Sequence, residues 1–96
     1  MIVRLSSDAE ADIRDGYSFY ERQAIGLGRY FRDSLVADIE SLAFFGGIHE
    51  KADGYHCMRA KRFPFVIYYE CKQDEVTVVA VLDARRAPSW TRDRLT

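Results

Sequence analysis

Four apolar segments of the chain have the composition and alternation that predict β-strands. The first, Ile2–Leu5, is short and contains β-branched residues. The other three, at 55–60, 65–71 and 76–82, are rich in Val, Ile, Tyr and Phe. Because the segment 76–82 is apolar on both faces, we expect it to be an inner strand. Short connections between the last three segments, including a tight turn at 72–75, predict an antiparallel meander.

The segment that follows the first strand has apolar residues at the spacing of an amphipathic helix. We expect this helix to begin with a capping box, in which Ser7 caps the amide of Glu10 and the Glu10 side chain reaches back. A glycine inside a helix lowers its stability by about 1 kcal/mol, so Gly16 predicts close packing against a second element. The helix should end near Gln23. Its apolar stripe consists of Ala9, Ile13, Tyr17 and Tyr20.

A second amphipathic helix is predicted after the connection 24–28, which contains two glycines and no residue that offers a cap. The helix should stop at Gly46 and Gly47, which favour a left-handed C-cap. Because the connection is short, the two helices should form an antiparallel hairpin on one face of the sheet. The apolar stripe of the second helix consists of Leu27, Phe31, Leu35, Ile39 and Leu42.

These elements predict an α+β fold. An N-terminal strand precedes an antiparallel two-helix hairpin, which packs on a mainly antiparallel sheet with a C-terminal three-strand meander. The 96 residues accommodate one domain, 1–96, with a single core. Residues 48–54 are expected to form a loop. Trp90 should return to the edge of the sheet, and the polar segment 91–96 should fray.

The composition, 48% hydrophobic and 30% charged, is typical of a soluble globular protein. No segment approaches the roughly 18 apolar residues of a membrane span, and the N-terminus lacks a signal-peptide pattern. We therefore expect a cytoplasmic protein without membrane contact. Cys57 and Cys71 should be reduced core residues on neighbouring strands. Because neither His49 nor His56 stands at metal-ligand spacing from them, we expect no metal site and no cofactor.

The net charge of −1 conceals an uneven distribution. Residues 1–54 carry six Lys and Arg against ten Asp and Glu, whereas residues 55–96 carry eight against five. Three of these cations, Arg59, Lys61 and Arg62, stand directly before Pro64 and the third strand segment. A partner with acidic groups could dock on the second half, although each cation could equally be a solvated surface charge.

Several segments together carry a family pattern that spans nearly the whole chain. The most specific are Arg59–Tyr69, which contains Phe-Pro-Phe-Val-Ile-Tyr-Tyr, and Val79–Arg86, which is followed by Pro88. The segments Tyr17–Tyr20 and 26–31 also match. In this pattern the chain resembles the RelE/ParE superfamily of bacterial toxins from type II toxin–antitoxin systems. The resemblance implies that a cognate antitoxin protein is a partner.

The superfamily offers two alternative activities. RelE-type members are ribosome-dependent mRNA endonucleases, which use basic strand residues with a C-terminal tyrosine or histidine and need no metal. Such chemistry requires cations to stabilise a pentavalent phosphate and an acid–base pair to move protons. ParE-type members instead inhibit DNA gyrase without an active site of their own. The cations that could form a phosphate clamp are Arg59, Lys61, Arg62, Arg85 and Arg86.

Three features favour the ParE type. The segment 86–96 contains no tyrosine or histidine, so the usual acid–base candidate is missing. Tyr55 or His56 could substitute only if its side chain faced the same side as Arg59. Asp83 stands where many members carry histidine, and an acid there would weaken a phosphate site. The long N-terminal segment with two helices also favours the ParE type.

The resemblance therefore predicts a ParE-like toxin that binds DNA gyrase, is neutralised by its antitoxin and contains no catalytic residue. The alternative is a RelE-like endonuclease with the ribosome and mRNA as partners, and a third possibility is an inactive relative that only binds antitoxin. The antitoxin is expected to cover the region of Arg59, Lys61 and Phe63 with acidic and apolar residues. The full set of predicted partner-binding residues is Arg59, Lys61, Arg62, Phe63, Arg85, Arg86 and Trp90.

Overall fold

The computed structural model describes residues 1–96 and confirms the α+β class. Five strands and four helices follow one another along the chain. The elements are β1 (Ile2–Leu5), α1 (Ser7–Glu21), α2 (Leu27–Glu40), α3 (Leu42–Phe45), β2 (Lys51–Ala52), β3 (Tyr55–Arg59), β4 (Phe65–Lys72), β5 (Glu75–Asp83) and α4 (Pro88–Leu95).

The five strands form one sheet in the order β1-β5-β4-β3-β2. The predicted meander is confirmed, since β3, β4 and β5 pair antiparallel, and β1 pairs parallel with β5. β5 is thus an inner strand, as its two apolar faces predicted. One strand was not predicted: Lys51–Ala52 lies in the expected loop and pairs with β3 across Asp53 and Gly54. Both turn residues have positive φ angles, 53° and 87°, as a tight hairpin turn requires.

The start of α1 differs from the prediction by one residue. Ser6, not Ser7, is the N-cap, and its Oγ accepts a hydrogen bond from the backbone N–H of Ala9 at 3.0 Å. The expected capping box is therefore absent, because the residue three positions after Ser6 is an alanine. Ser6 occupies this place because the strand before it ends there: its own N–H donates to the carbonyl of Val78.

The helical hairpin is confirmed, and two glycines allow its helices to approach each other closely. A β-carbon at Gly16 would overlap the buried ring of Phe31, and one at Gly28 would lie 2.6 Å from the carbonyl oxygen of Tyr17. Glu21, the last residue of α1, accepts hydrogen bonds from the N–H groups of Gly26 and Gly28 at 2.9 to 3.1 Å. A carboxylate at a helix N-terminus also suits the helix dipole.

The core lies between this hairpin and one face of the sheet. β4 contributes the alternate residues Phe65, Ile67 and Tyr69 to it. The second helix ends earlier than predicted, at Glu40, and Leu42 belongs to the separate short helix α3. Gly47 has the expected left-handed conformation, with φ of 96°. The largest fully buried core side chains are Tyr69, Phe31, Leu35, Leu42, Ile67, Val76, Val78 and Val81.

The C-terminal segment is helical, so the prediction that 91–96 frays was wrong. Leu95 of α4 is buried against Ala80 and Leu82, on the face of the sheet away from the hairpin. Arg94 adds an ion pair with Asp12 of α1, at 2.9 and 3.0 Å. The segment was predicted to fray because its composition is polar, and one apolar residue and one ion pair are enough to dock it.

Cys57 and Cys71 lie on the neighbouring strands β3 and β4, as predicted, and both are free thiols. Cys71 packs on the core, whereas Cys57 alternates with the core residue Met58 and therefore faces the other side. No helix is long and apolar enough to cross a membrane.

Candidate functional site: the basic end of the sheet

Three strand ends bring the predicted cations to one end of the sheet. The last residue of β5, Asp83, pairs with Phe65 at the start of β4. Backbone hydrogen bonds continue this contact, from Ala60 to Phe65 at 2.9 Å and from Ala84 to Pro64 at 2.8 Å. The C-termini of β3 and β5 therefore flank the N-terminus of β4. We call this the basic end, and define it by Arg59, Lys61, Arg62, Arg85 and Arg86.

A buried carboxylate holds the loop between β3 and β4. Asp38 of α2 is 5% exposed, and its Oδ2 accepts a hydrogen bond from the backbone N–H of Lys61 at 3.0 Å. The helical pattern of the sequence did not indicate this role of Asp38. Since its partner lies 23 residues away, no local pattern could reveal it. The bond fixes the backbone of Lys61 while the side chain stays exposed.

Phe63 anchors the same loop from within. Its ring packs in a cluster with Tyr20, Phe31 and Tyr30, at centroid distances of 4.9, 5.1 and 5.5 Å. The residue is only half-buried, so part of the ring remains available to a partner. Much of its surface, however, packs on the core between the hairpin and the sheet.

Arg59, Lys61 and Arg62 are the unpaired cations of this end. All three residues are exposed, and none lies within 4.0 Å of a carboxylate. Arg59 stands opposite Val66, on the sheet face away from the hairpin. Their charges are therefore held on a fixed backbone without an internal counter-ion.

The two adjacent arginines after β5 differ from each other. Arg85 is bound through two hydrogen bonds to Asp83, Nε–H at 2.9 Å and Nη2–H at 2.7 Å. These bonds lower the pKa of Asp83 and raise that of Arg85. Arg86 instead stacks over the ring of Trp90, with the guanidinium carbon 4.3 Å from the ring centroid. Neither arginine faces the core, and only Arg86 keeps its charge free of a carboxylate.

Trp90 was predicted to return to the sheet edge, but it packs on the cluster of Ala80, Leu82 and Leu95, at the inner strand β5. There it helps to form a cleft between α1, the end of β5 and α4. The cleft has a volume of about 350 Å³ and is lined by three arginines as well as by Phe19 and Trp90. Asp12 lies on one side of the cleft. Its Oδ2 accepts hydrogen bonds from the N–H of Val81 and from Arg94, both at 3.0 Å. The lining arginines are Arg22, Arg86 and Arg94.

The histidines lie away from these cations. His56 stacks on Tyr69 with ring centroids 5.0 Å apart, so it faces the hairpin side, opposite to Arg59. Tyr55 does share the face of Arg59, but the two are four positions apart along β3, or about 13 Å. Tyr68 also lies on that face, and burial raises the pKa of its hydroxyl, with a smaller opposing effect from Arg59.

His49, His56 and Tyr69 define a second cluster, which we call the histidine end. The Tyr69 hydroxyl accepts from the N–H of Gly47 at 3.0 Å and bonds to Nδ1 of His49. Nδ1 of His56 bonds to the carbonyl oxygen of His49 at 2.6 Å. Burial, with a smaller contribution from His56, lowers the pKa of His49. No three His, Cys, Asp or Glu side chains are arranged to hold a metal ion.

A protein-family model matches most of the chain. The model for the ParE toxin of the type II toxin–antitoxin system parDE matches residues 3–88. The chain belongs to the ParE toxin family. This confirms the resemblance inferred from the sequence. The whole basic end lies within the matched residues, whereas all of α4 beyond Pro88 lies outside them.

A solved structure supports the ParE fold. It is described as "Chromosomal ParDE TA system from P. aeruginosa", and it superposes on this chain with a TM-score of 0.74 and 20% sequence identity. The match covers 88% of this ParE chain and 97% of the other. At that identity the likeness concerns the fold alone. No curated protein sequence matches the chain.

Proposed function

We propose that this ParE-family toxin acts in the cytoplasm by binding DNA gyrase, and that a cognate antitoxin neutralises it. The observation that carries the proposal is the basic end: Arg59, Lys61 and Arg62 are exposed and unpaired on a backbone fixed by Asp38. Cations without internal counter-ions are available to a partner and are complementary to an acidic one.

The geometry supports binding rather than RNA cleavage. An endonuclease needs a proton donor and acceptor within hydrogen-bond reach of the phosphate that the cations hold. His49 and His56 are engaged at the histidine end with Tyr69. Asp83 adds a carboxylate to the basic end, where it neutralises Arg85.

The ribosome-dependent endonuclease is the second candidate, because Tyr55 and Tyr68 share the sheet face of Arg59. Its test is primer extension on mRNA from induced cells. Cuts within codons that vanish in a Tyr68→Phe variant would favour this candidate over gyrase binding. Continued translation without such cuts would remove it.

The antitoxin is proposed to cover the same surface. A segment with acidic residues would pair with Arg59 and Lys61, while apolar side chains would pack on the exposed part of Phe63. The charge-reversal variant Arg59→Glu with Lys61→Glu should then weaken antitoxin binding. Unchanged affinity in a titration of the purified pair would place the antitoxin elsewhere.

The direct test of gyrase binding uses purified components. Supercoiling of relaxed plasmid by gyrase should be inhibited by the toxin, with cleaved DNA accumulating, and addition of antitoxin should reverse both effects. Induced cells should filament and show DNA-damage signalling. If supercoiling and cleavage are both untouched at a large molar excess of toxin, the proposal fails.

A further inference from the structure

We infer that the basic end contacts the phosphate backbone of duplex DNA, so that the toxin recognises gyrase together with its bound DNA rather than the enzyme surface alone. This inference rests on the proposed function and names the chemical group that the cations meet. It is argued from the distribution of charge, from the geometry of the strand ends and from the position of the exposed apolar residues.

The net charge of −1 does not describe the surface that a partner meets. Four cations of the basic end, Arg59, Lys61, Arg62 and Arg86, lack a carboxylate within 4.0 Å. Asp83 is already paired with Arg85, and Asp38 is buried under the loop. Many of the acidic residues lie elsewhere, such as those at the β4–β5 turn. Asp12 and Asp15 line the cleft beside Arg86, so the excess of positive charge is concentrated at Arg59, Lys61 and Arg62.

The arrangement of these cations suits a line of phosphates. β3 and β5 flank β4, and neighbouring strands lie about 4.8 Å apart, so the backbones of Arg59 at the end of β3 and Asp83 at the end of β5 are about 10 Å apart. Duplex DNA presents one negative charge per roughly 1.7 Å of its axis, so several phosphates fall within that span. Three of the four unpaired cations are arginines, whose planar guanidinium group binds phosphate oxygens in pairs.

A protein surface is a poorer fit at this end, because protein interfaces are built around apolar and aromatic anchors. Most of the Phe63 ring is packed in the aromatic cluster, and Trp90 is stacked with Arg86. Two half-exposed aromatic residues lie beside this end: Tyr30 packs on Phe63, and Phe19 lines the cleft with Arg86. The more exposed apolar residues, Phe44 at 83% and Ile48 at 71%, lie in α3 and the loop after it. Phosphate contacts need cations and fixed geometry, and the basic end provides both.

Binding of the intact toxin to a labelled duplex of about 20 base pairs, followed by fluorescence anisotropy at several salt concentrations, tests the inference. Four phosphate contacts predict that log K falls with log salt with a slope of about −3.6, and that Kd is of micromolar order. Arg59→Gln with Arg62→Gln should reduce the slope to about −1.8.

The matched control removes the same charge from the opposite end. Lys51 and Lys72 are exposed and form no ion pair; Lys51 lies on the edge strand β2 opposite His56, and Lys72 is the last residue of β4. Lys51→Gln with Lys72→Gln should keep the slope of the unmodified toxin. Equal losses in both double variants would overturn the inference, since binding would then follow total charge and not this site.

Two further outcomes would also overturn it. One is an unchanged salt slope in the Arg59→Gln with Arg62→Gln variant, which would place the DNA contact elsewhere on the toxin. The other is gyrase inhibition by a toxin that does not bind duplex DNA, which would leave the proposed function standing. Absence of gyrase inhibition, in contrast, would remove the proposed function itself.

Discussion

The two ends of the sheet use their polar groups in opposite ways. At the histidine end, the ring nitrogens and the Tyr69 hydroxyl bind one another and nearby backbone groups, while the exposed residues next to them are apolar. At the basic end, the interior consists of aromatic rings packed edge to face, and four of the five cations that define the end are unpaired. Polar groups that are satisfied internally stabilise the fold, whereas charges left without a partner are available for binding.

The comparison also distinguishes residues that hold the loop of the basic end in place from residues whose exposed charges are available for binding. Asp38 and Phe63 fix the loop that carries Lys61 and Arg62, but neither is itself a free charge. Substitution of the residues that hold the loop should change the stability of the fold. Substitution of the exposed cations should change binding with little change in stability. The following predictions test this division, from the largest expected effect to the smallest.

Gly16→Ala should produce the largest loss of stability. Its β-carbon would overlap the ring of Phe31, which is fully buried among Tyr20, Phe63 and Phe65 and has little room to move. We expect about 3 kcal/mol of destabilisation in urea unfolding, at the upper end for overpacking. The control Ser18→Ala, on the exposed side of the same helix, should stay within about 0.5 kcal/mol.

Asp38→Ala should destabilise the fold by about 2 kcal/mol, because the backbone N–H of Lys61 would lose its buried acceptor. Amide hydrogen exchange of the loop 60–64 should accelerate by more than that of the histidine end. Asp33→Ala on the same helix removes only an exposed ion pair and should change stability by less than about 0.5 kcal/mol. Uniform acceleration throughout the sheet would argue against a local support.

Tyr69→Phe should act at the opposite end. The variant removes the hydroxyl that accepts from Gly47 and bonds to His49, so we expect a loss of about 1 kcal/mol. DNA binding should be unchanged, since the basic end is not altered. Tyr30→Phe, at an exposed residue, is the matched control and should have little effect on stability. A loss of DNA binding in the Tyr69 variant would show that the two ends are coupled.

Mild acid should weaken the histidine end. The pKa of His49 in the folded protein is below its ordinary value of 6.5, chiefly through burial. Between these two pKa values the unfolded chain binds more protons than the folded one. Stability is therefore fully present above about pH 6.5 and is lost as the pH falls through the folded pKa.

The urea midpoint should accordingly be lower at pH 5.5 than at pH 7.5, and His49→Gln should reduce that difference. Asp83 titrates in a lower pH range, because its pKa is depressed by Arg85. An unchanged pH dependence in the His49 variant would mean that other groups control it.

The sequence predicted what depends on periodicity and turn chemistry. Four of the five strands and the helical hairpin followed from apolar spacing, and Gly16 correctly indicated a close approach. Contacts between distant residues could not be predicted in this way. Glu21 caps the next helix, Asp38 binds an amide 23 residues later, and Asp12 binds one 69 residues later.

The candidate site was predicted only in part, because the sequence does not show which side chains pair with each other. The cations were found because they are grouped along the chain, but the pairing of Arg85 with Asp83 distinguishes it from its neighbour Arg86 only in three dimensions. Helix α4 was missed because its composition is polar, and its docking depends on Leu95 and on an ion pair with Asp12. A partner role for the cations stays a prediction.

The most direct test of the central claim is gyrase-mediated DNA cleavage by toxins that differ only in which end has lost charge. Arg59→Gln with Arg62→Gln is compared with Lys51→Gln with Lys72→Gln, and each variant is first shown to have the thermal stability of the unmodified toxin. We expect cleaved plasmid to accumulate with the unmodified toxin and the Lys51/Lys72 variant, and to be strongly reduced with the Arg59/Arg62 variant. Equal cleavage with both variants would contradict the account.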